Sequence, residues 1–458
     1  MNVVPTSAET DLDPALIFDR IRFEGLTSVL VAVSGGGDSL ALLYLLARLS
    51  ASRLQFPAIV AVTVDHKLRA EAAEEARYVA MLCGELGVAH RTLEWGEPKP
   101  DTGLSAMARE ARYRLLCQAA REAGTDLILT GHTLDDQIET YAMREQRTRE
   151  QGSERGLAAM APATLLEREI WLVRPLLRVT REALRNYLRA RNIAWRDDPS
   201  NDDLKYERVR VRKTLRKDER ELILAKIAAK TEQRRAQNTS AERLLQQSVT
   251  VRDGTLAAID KSSFRGDVDA QRLAIGVLLA AMGGLSLLPP AEICEKAIRH
   301  IAGEGTSRRI SLGRCVIEVR RDKALILREL RSLPKITVGP GETAIWDGRF
   351  RLVNWTQGAV GIEPIGDGRL SLLREERVAV THWAAVRSSP AISAEGELIC
   401  LGSCGDHAKL PAGISLARHL ALFDHILSGY DVGLAQGLAE LFRLPPYKRL
   451  PVNQINKN

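Results

Sequence analysis

The segment Ser34-Gly35-Gly36-Gly37-Asp38-Ser39 constrains the fold more than any other part of the chain. It follows the branched apolar run Val29–Val33 and precedes the leucine-rich stretch Leu40–Leu49. A buried strand, a glycine turn and a helix start therefore fall within about 20 residues. Glycines allow positive φ and close approach of an anion, and successive N–H groups can form an oxyanion nest. The first turn of the following helix adds orphan N–H groups and a positive dipole end. Ser34 and Ser39 can donate to phosphate oxygens, and the Asp38 carboxylate suits Mg²⁺. The segment lacks the Gly-Lys-Ser/Thr ending of a Walker loop and the G-x-G-x-x-G of a dinucleotide site. A plain tight turn is the competing reading, and the two serines and the aspartate argue against it.

Apolar runs and helical stretches alternate onward from there. Pro57–Val64, Ala89–Trp95 and Asp126–Thr130 read as strands; Ala70–Leu86 and Leu104–Ala123 read as helices. That alternation predicts an α/β fold, a doubly wound parallel sheet whose ligands bind beyond the carboxyl ends of its strands. Polar clusters stand at those ends. Asp65 and His66 follow one strand and Gly131-His132-Thr133 another, with Asp136 and Thr140 on one face of the ensuing helix. Arg109 and Arg112 sit three apart on a helix, a pairing suited to phosphate or to developing negative charge. Local capping, or a solvated helix face for the arginines, is the plainer alternative for each cluster taken alone.

These pieces together resemble the tRNA(Ile)-lysidine synthetases of the PP-loop ATP pyrophosphatase superfamily. The resemblance rests on Ser34–Ser39, on Val64-Asp65-His66 with Leu68-Arg69, and on Ala108-Arg109 with Arg112-Tyr113. It continues through Gly131-His132-Thr133 with Asp135-Asp136-Gln137 and Glu139-Thr140. Downstream, Arg174-Pro175-Leu176-Leu177, Trp195 with Asp198, Ser200 and Asn201, and Tyr206, Arg208 and Arg212 agree. Two positions depart from the family pattern. Lys67 stands where a glycine is usual, and Gly156-Leu157-Ala158-Ala159-Met160 lacks its second glycine.

The resemblance implies a cytoplasmic ligase that uses ATP and Mg²⁺. It would join L-lysine to C2 of the wobble cytidine of an isoleucine tRNA with a CAU anticodon, through an adenylated intermediate. It places ATP on Ser34, Gly35, Gly36, Gly37, Asp38, Ser39, Asp65, His66 and Arg109. Catalysis is expected from Asp38, Arg112, His132 and Asp136, with Asp38 and Asp136 as metal ligands. Which carboxylate receives the lysine amine stays open, as do monomer and homodimer.

Charge supports a polyanionic partner. From Arg174 to Arg235 there are 19 Lys/Arg against 10 Asp/Glu, a local +9 in a chain of net +7. Lys205, Arg208, Arg210, Arg212, Lys213 and Arg216 are the expected tRNA contacts. The 458 residues exceed one ordinary core. The expected division is an adenylation domain over 1–218, a helical tRNA-contacting domain over 219–305 and a β-rich domain over 306–458. No apolar run reaches the roughly 18 residues of a membrane span, and no secretory signal is visible. The six cysteines are scattered, as reduced cytosolic thiols are. No C-x-x-C occurs, which disfavours the related tRNA thiolases, and no glutaminase segment is present for an amide-forming ligase. A catalytically idle tRNA-binding scaffold is opposed by the complete set of polar motif residues. Cys400 and Cys404, near Asp406 and His407, have a spacing that allows a metal but lack a full ligand set.

Overall fold

The computed structural model describes residues 11–68, 71–100, 102–151, 154–197, 203–205, 207–304, 307–370, 382–394, 397–401 and 410–452. Arg69, Asp198, Ser200, Asn201, Tyr206, Cys404, Asp406 and His407 lie outside the described residues. After a one-turn helix α1 (Pro14–Ile17), the expected alternation is present: β1 (Ser28–Ala32), α2 (Gly37–Ala51), β2 (Ala58–Asp65), α3 (Ala72–Glu85), β3 (Ala89–Glu94), α4 (Leu104–Glu122), β4 (Leu127–Thr130) and α5 (Leu134–Gln151). A hairpin, β5 (Ala163–Leu166) and β6 (Ile170–Val173), leads to α6 (Arg181–Arg189), α7 (Glu207–Thr214) and the long α8 (Lys217–Ser248).

The sheet order is β5-β6-β4-β1-β2-β3, and the end of a short strand, β19 (Ile426–Ser428), completes the β5 edge. Every pairing from β6 to β3 is parallel, and only β5 runs antiparallel, against β6. Leu30 of β1 packs with Leu116, Cys117 and Ala120 of α4, while Val29 and Val31 on the opposite face are equally buried. Both faces are therefore covered, which is why β1 reads as a continuous apolar run rather than an alternating one. α2 is apolar nearly all round because it lies between β1 and α6.

The chain divides into two compact units at Arg234/Arg235, inside α8. Ser428–Tyr430 and the segment from Lys448 return to the first unit. There Arg22 N–H donates to the Pro451 carbonyl at 2.9 Å, and Ile21 bridges Val452.

The second unit opens on the end of α8 and adds a sheet to the expected helices. β7 (Val249–Arg252) and β8 (Leu256–Asp260) form a hairpin and join β9 (Arg309–Leu312), β10 (Cys315–Val319) and β11 (Lys323–Arg328) in the order β7-β8-β11-β10-β9. Asp253-Gly254, at φ 52° and 61°, makes the turn that this dipeptide favours between paired strands. α9 (Val268–Gly283) and α10 (Ala291–Ala302) pack on that sheet. α9 has 12 of its 16 residues buried, so its apolar sequence needs the sheet as well as α10. The β-rich remainder is as expected. It holds β12 (Ile336–Val338), β15 (Val360–Pro364), β16 (Pro390–Ala394) and β17 (Glu397–Leu401) in one antiparallel sheet. A second sheet contains β13 (Thr343–Trp346), β14 (Phe350–Asn354) and β18 (Ile414–Arg418). Helices α11 (Trp383–Val386) and α12 (Val432–Leu441) complete this unit. Among the described residues, no helix is long and apolar enough to cross a membrane.

Candidate functional site

β1 is flanked by β2 on one side and β4 on the other, so the sheet reverses its winding between β1 and β4. The crevice beyond such a reversal is where open α/β sheets bind ligands. Here the turns leaving β1 and β4 touch. A Cβ on Gly131 would stand 3.0 Å from the carbonyl carbon and oxygen of Asp38 and from Ser39 Cα. These are backbone atoms, so any side chain at position 131 would press the two turns apart. In the first turn Gly35 takes φ 81°, and α2 begins at Gly37 with Asp38 in its first turn. Ser39 Oγ accepts from Ser34 N–H at 3.1 Å and donates to the Gly36 carbonyl at 3.0 Å. Ser34 Oγ lies 3.2 Å from it. The two serines thus brace the glycine turn from within.

Asp38 and Asp136 converge on one cation. Arg181 places Nε 3.1 Å from Asp38 and Nη2 2.9 Å from Asp136, and it also reaches Glu139 at 3.3 Å. Asp136 additionally accepts from the Thr133 N–H at 2.6 Å, so it caps α5 with one oxygen and faces the crevice with the other. Burial pushes the Asp38 carboxyl up to about 6, against the lowering pull of Arg181. Burial disfavours the charge on Arg181, yet Asp136, Asp38 and Glu139 hold its pKa above the ordinary arginine value.

The sequence reading assigned roles to neither Arg181 nor Glu139. One signal was available for Arg181: it is the first residue of α6, where the helix dipole disfavours a cation unless carboxylates compensate. Glu139, its side chain 3% exposed, also accepts from Arg208 at 2.5 Å and from Arg212 at 2.7 Å. Arg208 pairs with Asp136 as well. Two of the six arginines and lysines expected to face tRNA therefore point into the acidic crevice. Of the others, Arg210 donates to the Leu204 and Lys205 carbonyls, Arg216 pairs with Asp218, and Lys205 and Lys213 are exposed.

A second group lies beyond β2. Arg112 Nε and Nη2 stand 3.3 and 3.2 Å from His66 Nε2. Burial first, then Arg112 and Lys99, lowers His66 to about 4, so its imidazole is neutral and accepts. Asp65 accepts from the Lys67 backbone N–H at 2.7 Å, and Lys67 Nζ lies 3.3 Å from Asp65 and 2.7 Å from Glu94. Arg109 is exposed, its guanidinium 4.8 Å from the Tyr113 ring centroid. His132 feels the arginines of both groups. Burial, then Arg174, Arg109, Arg208 and Arg112, holds its pKa well below the usual histidine value. Thr130 Oγ1 donates to the Val173 carbonyl and lies 2.9 Å from His132 Nδ1. The neutral ring offers one nitrogen as a donor and the other as an acceptor.

Both departures from the family pattern occur at left-handed backbone. Lys67 has φ 53° and Ala159 has φ 53°. The loop keeps a glycine's conformation at Ala159 because Arg144 donates to the Gly156 and Ala159 carbonyls at 2.8 and 2.9 Å. Gln137 also clasps Met160 through both its backbone groups, at 2.7 and 2.9 Å. Cys83 and Cys117 are core residues whose thiols burial pushes up to about 11 and about 12. Among the described residues no three His, Cys, Asp or Glu side chains are grouped to hold a metal.

The PP-loop domain family model matches residues 15–219. The U34-tRNA thiolase NcsA from Methanococcus maripaludis with its [4Fe-4S] cluster is similar with a TM-score of 0.39 and 14% identity, over 48% of this chain and 77% of that one. The tRNA(Ile)-lysidine synthase of Brucella anthropi is 39% identical over 439 residues, 92% of this chain and 95% of its own. That of Brucella canis is 40% identical over 441 residues, covering 93% and 97%. Such identity runs through both units, well beyond the glycine turn and paired carboxylates of the sheet crevice, and the chain belongs to the tRNA(Ile)-lysidine synthase family.

Proposed function

We propose that the protein ligates L-lysine to C2 of the wobble cytidine in an isoleucine tRNA with a CAU anticodon. The C2 carbonyl oxygen attacks the α-phosphorus of ATP and pyrophosphate leaves. The lysine ε-amine then attacks C2, AMP departs with the oxygen, and the amine gives up a proton. The observation that carries this reading is the meeting, at one reversal of the sheet, of an anion-binding glycine turn with carboxylates that already hold cationic side chains.

Each residue then has a task. The glycine turn and the start of α2 bind the phosphates. Asp38 and Asp136, which converge on a guanidinium, fit a Mg²⁺, which ordinarily takes one or two carboxylates together with phosphate oxygens. Bound there, the ion would neutralise phosphate charge. Arg112, oriented by His66, and Arg109 face charge at the α-phosphate. His132, at the end of β4, is placed to contact the cytidine or its adenylate. Glu139 takes the heads of Arg181, Arg208 and Arg212 and keeps these cations beside the two metal carboxylates. Lys205 and Lys213 meet the tRNA backbone without reading bases. The reaction belongs to the cytoplasm, where tRNA and ATP are found.

The test is transfer of labelled lysine with purified protein, ATP, Mg²⁺ and either the isoleucine or the methionine CAU tRNA. Label is expected only in the isoleucine tRNA, and none with Asp38→Ala. No lysine transfer with tRNA-dependent ATP cleavage intact would refute the nucleophile, and no cleavage at all would refute the chemistry.

A further inference from the structure

A run of glycines is a poor way to hold a rigid shape. Gly35, Gly36 and Gly37 lose more freedom on ordering than any other residues would, and the two serines brace them from one side only. The other side is covered by Ala194–Asp197. The Arg196 N–H donates to the Gly35 carbonyl at 3.1 Å. A Cβ on Gly37 would stand 3.4 Å from Trp195 Cδ1 and Cγ, so the indole lies in contact with the first residue of α2.

That segment is itself anchored. Tyr78 Oη, on α3, donates to the Ala194 carbonyl at 2.9 Å, and the Arg196 guanidinium lies 5.6 Å from the Tyr78 ring centroid. Arg185 and Arg189, one turn apart on α6, place their guanidiniums 5.7 and 5.5 Å from the Trp195 ring centroid. Asp197 accepts from Trp195 Nε1 at 3.2 Å and from Arg185 at 2.7 Å. An aromatic ring with arginines against it is a stiff, oriented surface. The arrangement ties the glycine turn to α3 and α6.

We propose that Trp195 is a positioning residue for the phosphate-binding turn, its indole and the Arg196 N–H holding Gly35–Gly37 in the shape that receives the phosphates of ATP. This rests on the reading that ATP binds at that turn. Trp195 touches no reacting atom. Its effect passes through Gly37 to the N–H groups of the turn, so its loss weakens binding of the phosphates more than it slows the chemistry. The ring also reports the event, because phosphates arriving at the turn change the surroundings of an indole in contact with it.

The experiment uses the full chain, wild type and the variants Trp195→Phe, Trp195→Ala and Tyr78→Phe. Tryptophan fluorescence is titrated with MgATP and with pyrophosphate alone, labelled ATP binding is measured by equilibrium dialysis, and pyrophosphate release gives KM and kcat. Both ligands are expected to change wild-type fluorescence, and Trp195→Phe should abolish the change caused by pyrophosphate while keeping KM for ATP within about twofold; Trp95, packed edge-on against His66, still reports the rest of the nucleotide. Trp195→Ala should raise KM about tenfold with kcat held within about threefold, the signature of a displaced binding turn. Tyr78→Phe, which keeps a ring on α3 and removes one bond, should raise KM by a smaller factor and guards against a misfolded alanine variant. A pyrophosphate-induced fluorescence change of wild-type size in Trp195→Phe, or wild-type KM in both Trp195→Ala and Tyr78→Phe, overturns the proposal. Absence of ATP binding to the wild-type protein overturns the nucleotide reading instead.

Discussion

Replacing Arg181 should move the acid limb of the activity profile upward. Asp38 titrates at about 6 because burial raises it while Arg181 holds it down. The pair is 3.1 Å apart and mostly shielded from solvent. At an effective dielectric of about 20, unit charges at this separation attract by about 5 kcal/mol, which sets the ceiling. An opposite charge at such range typically lowers a carboxylate pKa by about 1–3. Arg181→Met removes that pull, so Asp38 should titrate at about 8, taking the middle of that range. A carboxylate with a raised pKa is ionised only at higher pH, so activity that needs it ionised disappears first near neutrality.

The assay is tRNA-dependent pyrophosphate release between pH 5.5 and 9, read as kcat/KM for ATP, which reports groups of the free enzyme. At pH 7 the variant should lose about tenfold, because only about a tenth of its Asp38 is then ionised, and it should recover toward pH 9. Arg181→Lys should return the limb to near 6. Stability gives a second readout with its own sign. Without Arg181, Asp38 loses its ion pair while Asp136 and Glu139 keep Arg208 and Arg212, and breaking such a cluster costs about 3–5 kcal/mol when the carboxylates are ionised. The folded Asp38 carboxyl then lies further above its unfolded value. The penalty is therefore full at high pH and shrinks as pH falls through the folded pKa. An acid limb unmoved in Arg181→Met, or a variant that becomes less stable as pH falls from 8 to 6, would refute the reasoning.

Ala159→Gly relieves a left-handed alanine and should stabilise the first unit by up to about 1 kcal/mol, a rise of a few degrees in Tm. A lower Tm would mean that Arg144 and Gln137 do not set the loop. In the second unit, Asp347 is fully buried and receives Arg314, Arg328 and Arg349, the last two with side chains 1% exposed. Asp347→Ala strands those guanidiniums and should cost about 3–5 kcal/mol in chemical denaturation, while an effect under 1 kcal/mol would contradict the buried-charge account.

Much of the first unit was written locally in the chain. Strand, glycine turn and helix start are adjacent in sequence at 29–49, and the same grammar repeats at 57–86 and 126–140, so periodicity and turn chemistry were enough to give the parallel sheet. Asp38, His132 and Asp136 could be picked out because residues at strand ends are ligand positions in any such sheet. The paired strands β7 and β8 were also legible, through Asp253-Gly254 between two short apolar runs, but the helices around them suggested a helical domain. What no local pattern contains is which charges neutralise one another. Arg181 is 143 residues from Asp38, and Arg208 and Arg212 are 69 and 73 from Glu139. By composition α7 is a solvated basic helix facing a polyanion. Folding instead brings two of its arginines onto a nearly buried glutamate, where an ionised carboxylate without a partner would be too costly to keep. The sequence determined where phosphate and carboxylates would be offered; tertiary structure alone decided which cations hold those carboxylates, since Coulomb energy depends on distance in space and not along the chain.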